Sequence, residues 1–399
     1  MKHLFPGATG HFSLIQGCYW MTYCILISFS SLYLLERAFT NTQIGLLLGI
    51  AGLTAAILQP FVGAKGDHLK VLSLRQFTSL PIAAMILCGV GLFLVPAKPV
   101  QAALYMVLLV LLQLLTPLIY SLGMDCLNNH IELNFGLARG IGGGTYALAS
   151  AVCGSLAAAL GARVIPLVLV VAVALMLAFT FTFRQGGPVK STLPKPDALP
   201  QSDGTPFLKK YPQVLPLLIG VILLYTSHNV IMNFPYQIVR SLGCGSAEMG
   251  HYLTLQSLMD IPAMVVFSLL LKRASSRAWV RLTGISFFLH ALLTWLAPNL
   301  PFLMVVQVFE MSGYALYSVS SVYFVNEMVD LCDRVQGQTY FTMANTIGIV
   351  LSSVLGGRLL DLGGASAALC LATVTGAAGM VILWFLLRRK SLRPATNAA

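Results

Sequence analysis

Long apolar stretches recur along almost the whole chain and are separated by short polar segments. Their length of roughly 20 residues or more suits an α-helix that crosses the apolar core of a bilayer. Two of them, 102–115 and 164–179, are almost uniformly apolar and lack the alternation of a barrel strand. The pattern predicts an all-α membrane protein. We expect twelve transmembrane helices, at 12–36, 42–64, 75–95, 101–127, 139–160, 162–183, 212–239, 246–271, 277–297, 301–329, 336–358 and 364–388.

One segment near the middle of the chain breaks this pattern. Residues 184–211 carry five prolines among Lys, Asp and Ser, and they contain no apolar run that could span a bilayer. We expect a flexible cytoplasmic linker that separates an N-terminal six-helix bundle, 1–183, from a C-terminal six-helix bundle, 212–399. A proline in both the second and the eighth predicted helix is one of several weak echoes that favour two pseudo-symmetric bundles.

The composition indicates lipid, not water, as the solvent of most side chains. Hydrophobic residues make up 57% and charged residues only 9% of the chain, whereas soluble proteins carry roughly 25% charged residues. With both termini in the cytoplasm, 19 of the 24 lysines and arginines fall on the cytoplasmic side, in agreement with the positive-inside rule. The formal net charge of +11 therefore reflects the topology of a bacterial cytoplasmic (inner) membrane protein, and it predicts no nucleic-acid partner.

Several function classes lack their sequence signatures. The eight cysteines form no CxxC pair and have no metal-ligand spacing, so we expect no disulfide, metal or cofactor. The chain has neither the HExxH or paired-acid motif of an intramembrane hydrolase nor the phosphate-binding loop of an ATP-driven pump. We therefore expect no enzyme. The remaining classes are a secondary transporter, acting as a monomer, and a non-transporting membrane sensor.

The loop after the second predicted helix combines a glycine, an acid and basic residues, at Gly63, Asp67, Lys70 and Arg75. This loop resembles the signature G-x-x-x-D-(R/K)-x-G-(R/K)-(R/K) of the major facilitator superfamily, although His68 departs from it at the basic position. The resemblance implies a gating loop, in which the glycine permits close helix approach and the acid forms a latch with basic side chains. The alternative is a solvated charged turn that only fixes the topology.

A second resemblance covers the predicted fourth and fifth helices. Asp125 ends the fourth helix, Arg139 opens the fifth, and Tyr146 follows seven residues later on nearly the same helix face. This order is similar to that of the oligosaccharide:proton symporters, the lactose permease-like family. The resemblance implies that Asp125 and Arg139 bind sugar hydroxyls and that Tyr146 stacks on the sugar ring. Charge-assisted hydrogen bonds suit such a neutral polyol, and an interfacial anchor is the alternative role for Arg139.

Glu310 lies in the middle of the predicted tenth helix. An ionised carboxylate at such a depth costs about 2.5–3.5 kcal/mol, so it should be neutral, paired or in contact with water. The segment that ends in Glu310 resembles the one that carries the coupling proton in the same symporter family. By its spacing from Gly284, His290 falls where that family has an arginine. The resemblance implies that Glu310 and His290 couple protons, with a merely structural histidine as the alternative.

Other polar side chains lie inside the predicted spans and are assigned to solute binding. Asp260 precedes the helix-bending Pro262, so its alternative roles are proton coupling and a structural hydrogen bond at the kink. The lactose permease-like family has two buried Asp–Lys pairs, and uncharged residues stand at all four aligned positions here. Galactoside specificity is therefore not implied. The full solute-binding set is Asp125, Arg139, Tyr146, Tyr23, His228, Asn229, Asp260, Gln307 and Asn345.

Together these features predict a secondary transporter that moves a small polar solute by alternating access, coupled to protons. A sugar or oligosaccharide is the expected cargo. The related nucleoside:proton symporters fit almost as well, and export of sugars or drugs by proton antiport uses the same kind of machine. The expected partners are the solute, protons and the lipid bilayer.

Overall fold

The computed structural model describes seven stretches of the chain: 7–67, 73–128, 131, 133–183, 206–270, 274–330 and 333–388. Over these residues the chain is helical, and the described stretches contain no β-strand. We number the helices in chain order. The first seven are α1 (Gly7–Tyr23), α2 (Ser30–Glu36), α3 (Asn41–Asp67), α4 (Leu74–Leu94), α5 (Lys98–Asn128), α6 (Phe135–Leu160) and α7 (Ile165–Thr182).

Local sequence explains where several of these helices begin and end. The side chains of Ser73 and Gln76 form a reciprocal capping box at the start of α4. The Asn134 side chain accepts a hydrogen bond from the backbone N–H of Leu137 and caps α6. Gly161, with a φ of +79°, ends α6 in a conformation that favours glycine.

The described residues from 206 onward contain nine helices. Some helices are short because the predicted spans 12–36, 212–239 and 301–329 are interrupted. The first of these spans is divided between α1 and α2 by a π-helical turn at Cys24–Ser28. Pro235 has no N–H to continue the ladder of the second, so one helix ends at Asn233 and another begins at Pro235. The nine are α8 (Phe207–Lys210), α9 (Val214–Asn233), α10 (Pro235–Ser241), α11 (Ser246–Leu270), α12 (Ser276–Trp295), α13 (Leu300–Val306), α14 (Val308–Glu310), α15 (Leu316–Met328) and α16 (Arg334–Arg388).

The last element, α16, contains a break. Gly363 and Gly364 have non-helical backbone angles, and the φ of Gly364 is +66°. The two predicted helices 336–358 and 364–388 therefore meet at this glycine pair with almost no intervening loop. Only glycine adopts the conformation of residue 364 without strain.

Among the residues that the structure describes, eight helices are long and apolar enough to cross a membrane, or nine if the bent pair of α1 and α2 forms one span. Large apolar side chains are exposed on their surfaces: Leu87, Val305 and Leu362 are 74%, 72% and 73% exposed. Such surfaces are unfavourable in water and suit lipid. The chain is a multi-pass helical membrane protein, and the number of twelve spans remains a prediction.

The described residues form two compact units. The first unit consists of the described residues within Met1–Thr192 and Asn233–Leu258. The second unit consists of the described residues within Leu193–Met232 and Met259–Ala399. The predicted linker 184–211 falls mostly on 184–205, which lie outside the described residues, and its end contains the helical turn α8.

Helix packing in the first unit depends on glycines. At the crossing of α6 and α11, a Cβ atom on Gly250 would lie 2.5 Å from the Ser150 carbonyl oxygen and 3.0 Å from the Cα of Gly154. Thr254 donates a side-chain hydrogen bond to the Ala147 carbonyl at 2.9 Å at the same crossing. The two backbones can approach this closely only because both crossing positions lack side chains.

The second unit has an aromatic and aliphatic core that is built mainly from α9, α12, α15 and α16. Leu217, Leu224, Phe287 and Tyr317 are buried in it. Gly348 lets α16 approach α9, because a Cβ there would lie 2.5 Å from the Cβ of Tyr225. This core surrounds the ionisable side chains described next.

Candidate functional site

Three ionisable side chains meet in the interior of the second unit. Oε2 of Glu310 lies 3.5 Å from Nδ1 of His290 and 3.6 Å from Nδ1 of His228. All three residues are at least 96% buried. The sequence associated Glu310 with His290 and assigned His228 to solute binding; the structure brings both histidines to the same carboxylate oxygen.

Three separate helices supply this cluster. His228 comes from α9, His290 from α12 and Glu310 from the end of α14. The tenth predicted span is irregular here: Gln307 interrupts it, and residues Met311–Ala315, directly after Glu310, form a π-helical turn. Single π-turns inside α-helices occur frequently at functional sites.

Aromatic rings fix the orientation of His228. The Tyr314 ring, which projects from the π-helical turn, stacks on the imidazole with centroids 4.9 Å apart and planes 5° apart. Phe287 packs against the same imidazole edge-on at 5.3 Å. Tyr314 was not among the predicted site residues, although its spacing of four residues from Glu310 places it one helical turn away.

The chemistry of the cluster follows from its composition. Two imidazoles and a carboxylate can hold and exchange protons, because each imidazole can be neutral or charged and the carboxylate neutralises one positive charge. Their three ligand atoms also lie within 4.8 Å of one another, which is close enough to hold a metal ion.

The other predicted residues of the second unit lie on neighbouring helices. Gln307 is fully buried and donates to the Leu303 carbonyl at 3.1 Å. The side chain of Asn229 donates to the Tyr225 carbonyl at 2.9 Å. Asn345 on α16 accepts a long hydrogen bond of 3.4 Å from the Tyr317 hydroxyl, and Asp260 is half-buried on α11.

In the first unit, Arg139 has an aromatic neighbour that the sequence did not single out. Its guanidinium carbon lies 3.8 Å from the centroid of a Trp20 ring, a close cation–π contact. Tyr23, predicted to bind solute, packs against Trp20 with centroids 5.1 Å apart. A Cβ on Gly142 would lie 2.4 Å from Trp20 Cδ1, so the missing side chain makes room for the indole.

Tyr146 and Asp125, the other two predicted sugar ligands of the first unit, differ in their burial. Tyr146 is 92% buried, and its hydroxyl pairs with that of Ser28 at 2.6 Å. Asp125 is half-buried near the end of α5. The structure thus places Trp20 beside Arg139. A tertiary contact between α1 and α6 causes this, and no sequence spacing indicates it.

The predicted gating loop lies largely at the edge of the described residues. Gly63 and Asp67 lie in the last turns of α3, and Lys70 lies outside the described residues. Arg75, in the first turn of α4, donates to the Phe183 carbonyl at 3.2 Å and lies over the Phe181 ring.

A second charged network lies outside the described membrane spans. Lys210 Nζ is 2.7 Å from Asp333 Oδ2 and 3.1 Å from Asp330 Oδ2, and the Tyr211 hydroxyl lies 2.9 Å from Oδ2 of each carboxylate. The hydrogen bond to Asp333 raises the pKa of Lys210 above its ordinary value. This network joins the end of α8 to the segment before α16.

Family comparison identifies the class of protein. The model of the MFS_1 like family matches residues 13–370, so the chain belongs to that family. It is a transporter of the major facilitator superfamily and not an enzyme, which confirms both predictions. In a sequence comparison, no curated protein matches the chain.

Solved structures of the same fold include several transporters. A point mutant of the nucleoside transporter NupG is similar with a TM-score of 0.78 and 14% identity, covering 96% of this chain and 99% of that one. NupG without the mutation has a TM-score of 0.75 and 15% identity over the same shares. A bacterial homologue of the iron transporter ferroportin, in an inward-facing state, has a TM-score of 0.70 and 14% identity, also over 96% and 99%. At these identities the similarity establishes the fold alone.

Proposed function

We propose that this protein is a proton-coupled secondary transporter for a small polar solute, and that Glu310 carries the coupling proton. In this proposal twelve helices form two six-helix bundles in a bacterial cytoplasmic membrane. The bundles alternate access to a central solute site in a monomer, with both termini in the cytoplasm. Gly63, Asp67, Lys70 and Arg75 form the gating loop.

The observation that carries the proposal is the buried cluster around Glu310. A carboxylate that is 98% buried, with two imidazole nitrogens 3.5 and 3.6 Å from the same oxygen, is expensive to maintain inside a membrane protein. Packing alone would favour apolar side chains of similar size at these positions. Ionisable residues at membrane depth mark ion or proton pathways by default.

The geometry suggests how coupling works. With a proton on Glu310 the carboxyl is neutral and the two histidines need carry no charge. When the proton leaves, the carboxylate can be compensated if one imidazole takes up a proton, because both nitrogens face the same Oε2. His228 and His290 therefore stabilise the ionised state in the role that an arginine plays in the symporters which the sequence resembles.

Two classes of solute are candidates. A sugar is the cargo that the resemblance to oligosaccharide:proton symporters favours, with Asp125, Arg139 and Tyr146 as its ligands. A nucleoside is the second candidate. Two observations favour it: the fold of NupG is similar to that of this chain, and the indole beside Arg139 offers an aromatic surface of the kind on which bases stack.

The test begins with purified protein and a thermal-shift screen against sugars and nucleosides at two pH values. Wild type and Glu310→Gln are then placed in proteoliposomes with the solute that stabilises the protein. We expect Glu310→Gln to lose accumulation driven by an imposed proton gradient, because the amide cannot release a proton. Exchange of labelled for unlabelled solute should continue.

The matched control is Asp361→Asn, which neutralises an exposed acid on α16. It should accumulate solute like wild type. Gradient-driven accumulation by Glu310→Gln at the wild-type level would exclude Glu310 as the coupling residue. If solute accumulation by the wild-type protein does not depend on the imposed proton gradient, proton coupling is excluded.

A further inference from the structure

We propose that His228, His290 and Glu310 form a binding site for a divalent transition-metal ion of the zinc class. The proposal rests on the identity and spacing of the three side chains, and it does not depend on proton coupling or on a particular solute. All three belong to the same compact unit, and each offers one ligand atom.

The donor set is the first argument. Two imidazole nitrogens and one carboxylate oxygen are a ligand set found in zinc and non-haem iron sites. Calcium and magnesium instead require six or more oxygen ligands, including water. Glu310 supplies the only carboxylate among the three, so the set selects a transition metal.

The spacing is the second argument. Zinc binds nitrogen and oxygen at about 2.0–2.2 Å, so two ligand atoms of a tetrahedral site lie roughly 3.4 Å apart. The two distances from Nδ1 to Oε2, 3.5 and 3.6 Å, are close to this separation. A direct N–H···O hydrogen bond is shorter, with donor and acceptor 2.7–3.2 Å apart. The groups are therefore spaced for an atom between them better than for direct bonding.

One ligand atom of the cluster, Nδ1 of His228, also has no hydrogen-bond partner among the described residues. This nitrogen is buried, and buried polar atoms nearly always have a partner. The stacked Tyr314 ring holds the imidazole so that this nitrogen faces Glu310, and a metal ion at the centre of the cluster would satisfy it.

Charge and coordination number complete the site. One carboxylate neutralises half of the charge of a divalent ion. Three protein ligands leave the fourth tetrahedral position for a water, hydroxide or another small ligand, as in zinc sites that keep an open position. The site is thus expected to bind one ion per chain.

The experiment measures binding of Zn²⁺ and Co²⁺ to purified full-length protein without solute or proton gradient. Titration calorimetry with ZnCl₂ should give one site, and Co²⁺ should produce the strong visible absorption of a four-coordinate ion. Single variants His228→Gln, His290→Gln and Glu310→Gln should each weaken Zn²⁺ binding by at least about tenfold. Mg²⁺ and Ca²⁺ should not compete.

Two further variants guard against loss of folding and against other ligands. Glu310→His supplies a nitrogen ligand in place of the carboxylate oxygen, so it should bind Zn²⁺ more tightly than Glu310→Gln does. His251→Gln removes an exposed histidine on α11 and should bind like wild type. Undiminished Zn²⁺ binding in the three cluster variants, or a thiolate charge-transfer band with Co²⁺, would overturn the proposal. Because no transport is measured, this outcome is separate from the failure of proton coupling.

Discussion

Replacing Gly250 by alanine is expected to destabilise the contact between α6 and α11. The added Cβ would lie 2.5 Å from the Ser150 carbonyl oxygen and 3.0 Å from the Cα of Gly154. Both of these are backbone atoms, which cannot move aside as a flexible side chain can. Since ordinary contact begins near 3.4 Å, the helices must separate by about 0.9 Å to restore the oxygen contact, the difference between 3.4 and 2.5 Å.

Two opposing effects determine how much the Gly250→Ala substitution changes the free energy of unfolding. Overpacking of a close helix contact costs roughly 1–3 kcal/mol. Alanine in place of glycine inside a helix gains roughly 0.4–1 kcal/mol, because the unfolded chain loses less freedom on folding. Gly144→Ala, also on α6, isolates the gain, since nothing lies within 4 Å of a Cβ added there. The free energies of unfolding of the two variants should therefore differ by about 1–3 kcal/mol, which is the cost of overpacking alone.

Thermal unfolding of the two purified variants in the same detergent measures this difference. A change of 1 kcal/mol moves the midpoint by about 2–4 °C for a unit of 150–250 residues. Gly144→Ala should unfold at or above the wild-type temperature, and Gly250→Ala several degrees below Gly144→Ala. Equal midpoints for the two variants would refute the close backbone approach on which the reasoning rests.

Three further results are expected. Arg139→Lys keeps the charge but loses the planar guanidinium stacked on an indole, so titration calorimetry should show at least about tenfold weaker solute binding; unchanged affinity would identify an interfacial anchor. Gln101→Leu removes the short acceptor of the buried Tyr33 hydroxyl and leaves it the Leu92 carbonyl at 3.4 Å. The free energy of unfolding should fall by about 1–3 kcal/mol, part of which Tyr33→Phe in the same chain should restore. Lys210→Met removes the cation beside Asp333 and should lower the midpoint of thermal unfolding. The double variant Lys210→Met/Asp333→Asn should recover part of the lost midpoint. If it does not, the unpaired charge of Asp333 is not the cause of the loss.

The membrane class and the transporter superfamily were predictable from the sequence. Long apolar runs and the bias of lysine and arginine to one side are properties of the chain itself, and they do not depend on tertiary structure. Glu310 was predictable as a special residue for a related reason: an acid inside such a run is conspicuous because burial of a charge is unfavourable.

The composition of the clusters was harder to predict. His228 joins Glu310 only because α9, α12 and α14 converge, and the three residues have no short spacing that would indicate a common site. Trp20 lies beside Arg139 because Gly142 leaves room for the indole, which is a property of helix packing. Apolar periodicity does not detect irregular turns, so the interruption at Gln307 had no signal in the sequence. Pro235 was such a signal, but it lies within a long apolar run that predicts a continuous helix.

The wide turn at Met311–Ala315 affects how roles can be transferred between proteins of this superfamily. A π-turn accommodates one residue more than a regular α-helix of the same span, and each residue of an α-helix corresponds to a rotation of about 100°. Positions from Leu316 onward are therefore out of step by one with a homologous helix that lacks the turn. An alignment without a one-residue gap here would match side chains that point in different directions, even where Glu310 itself is correctly aligned.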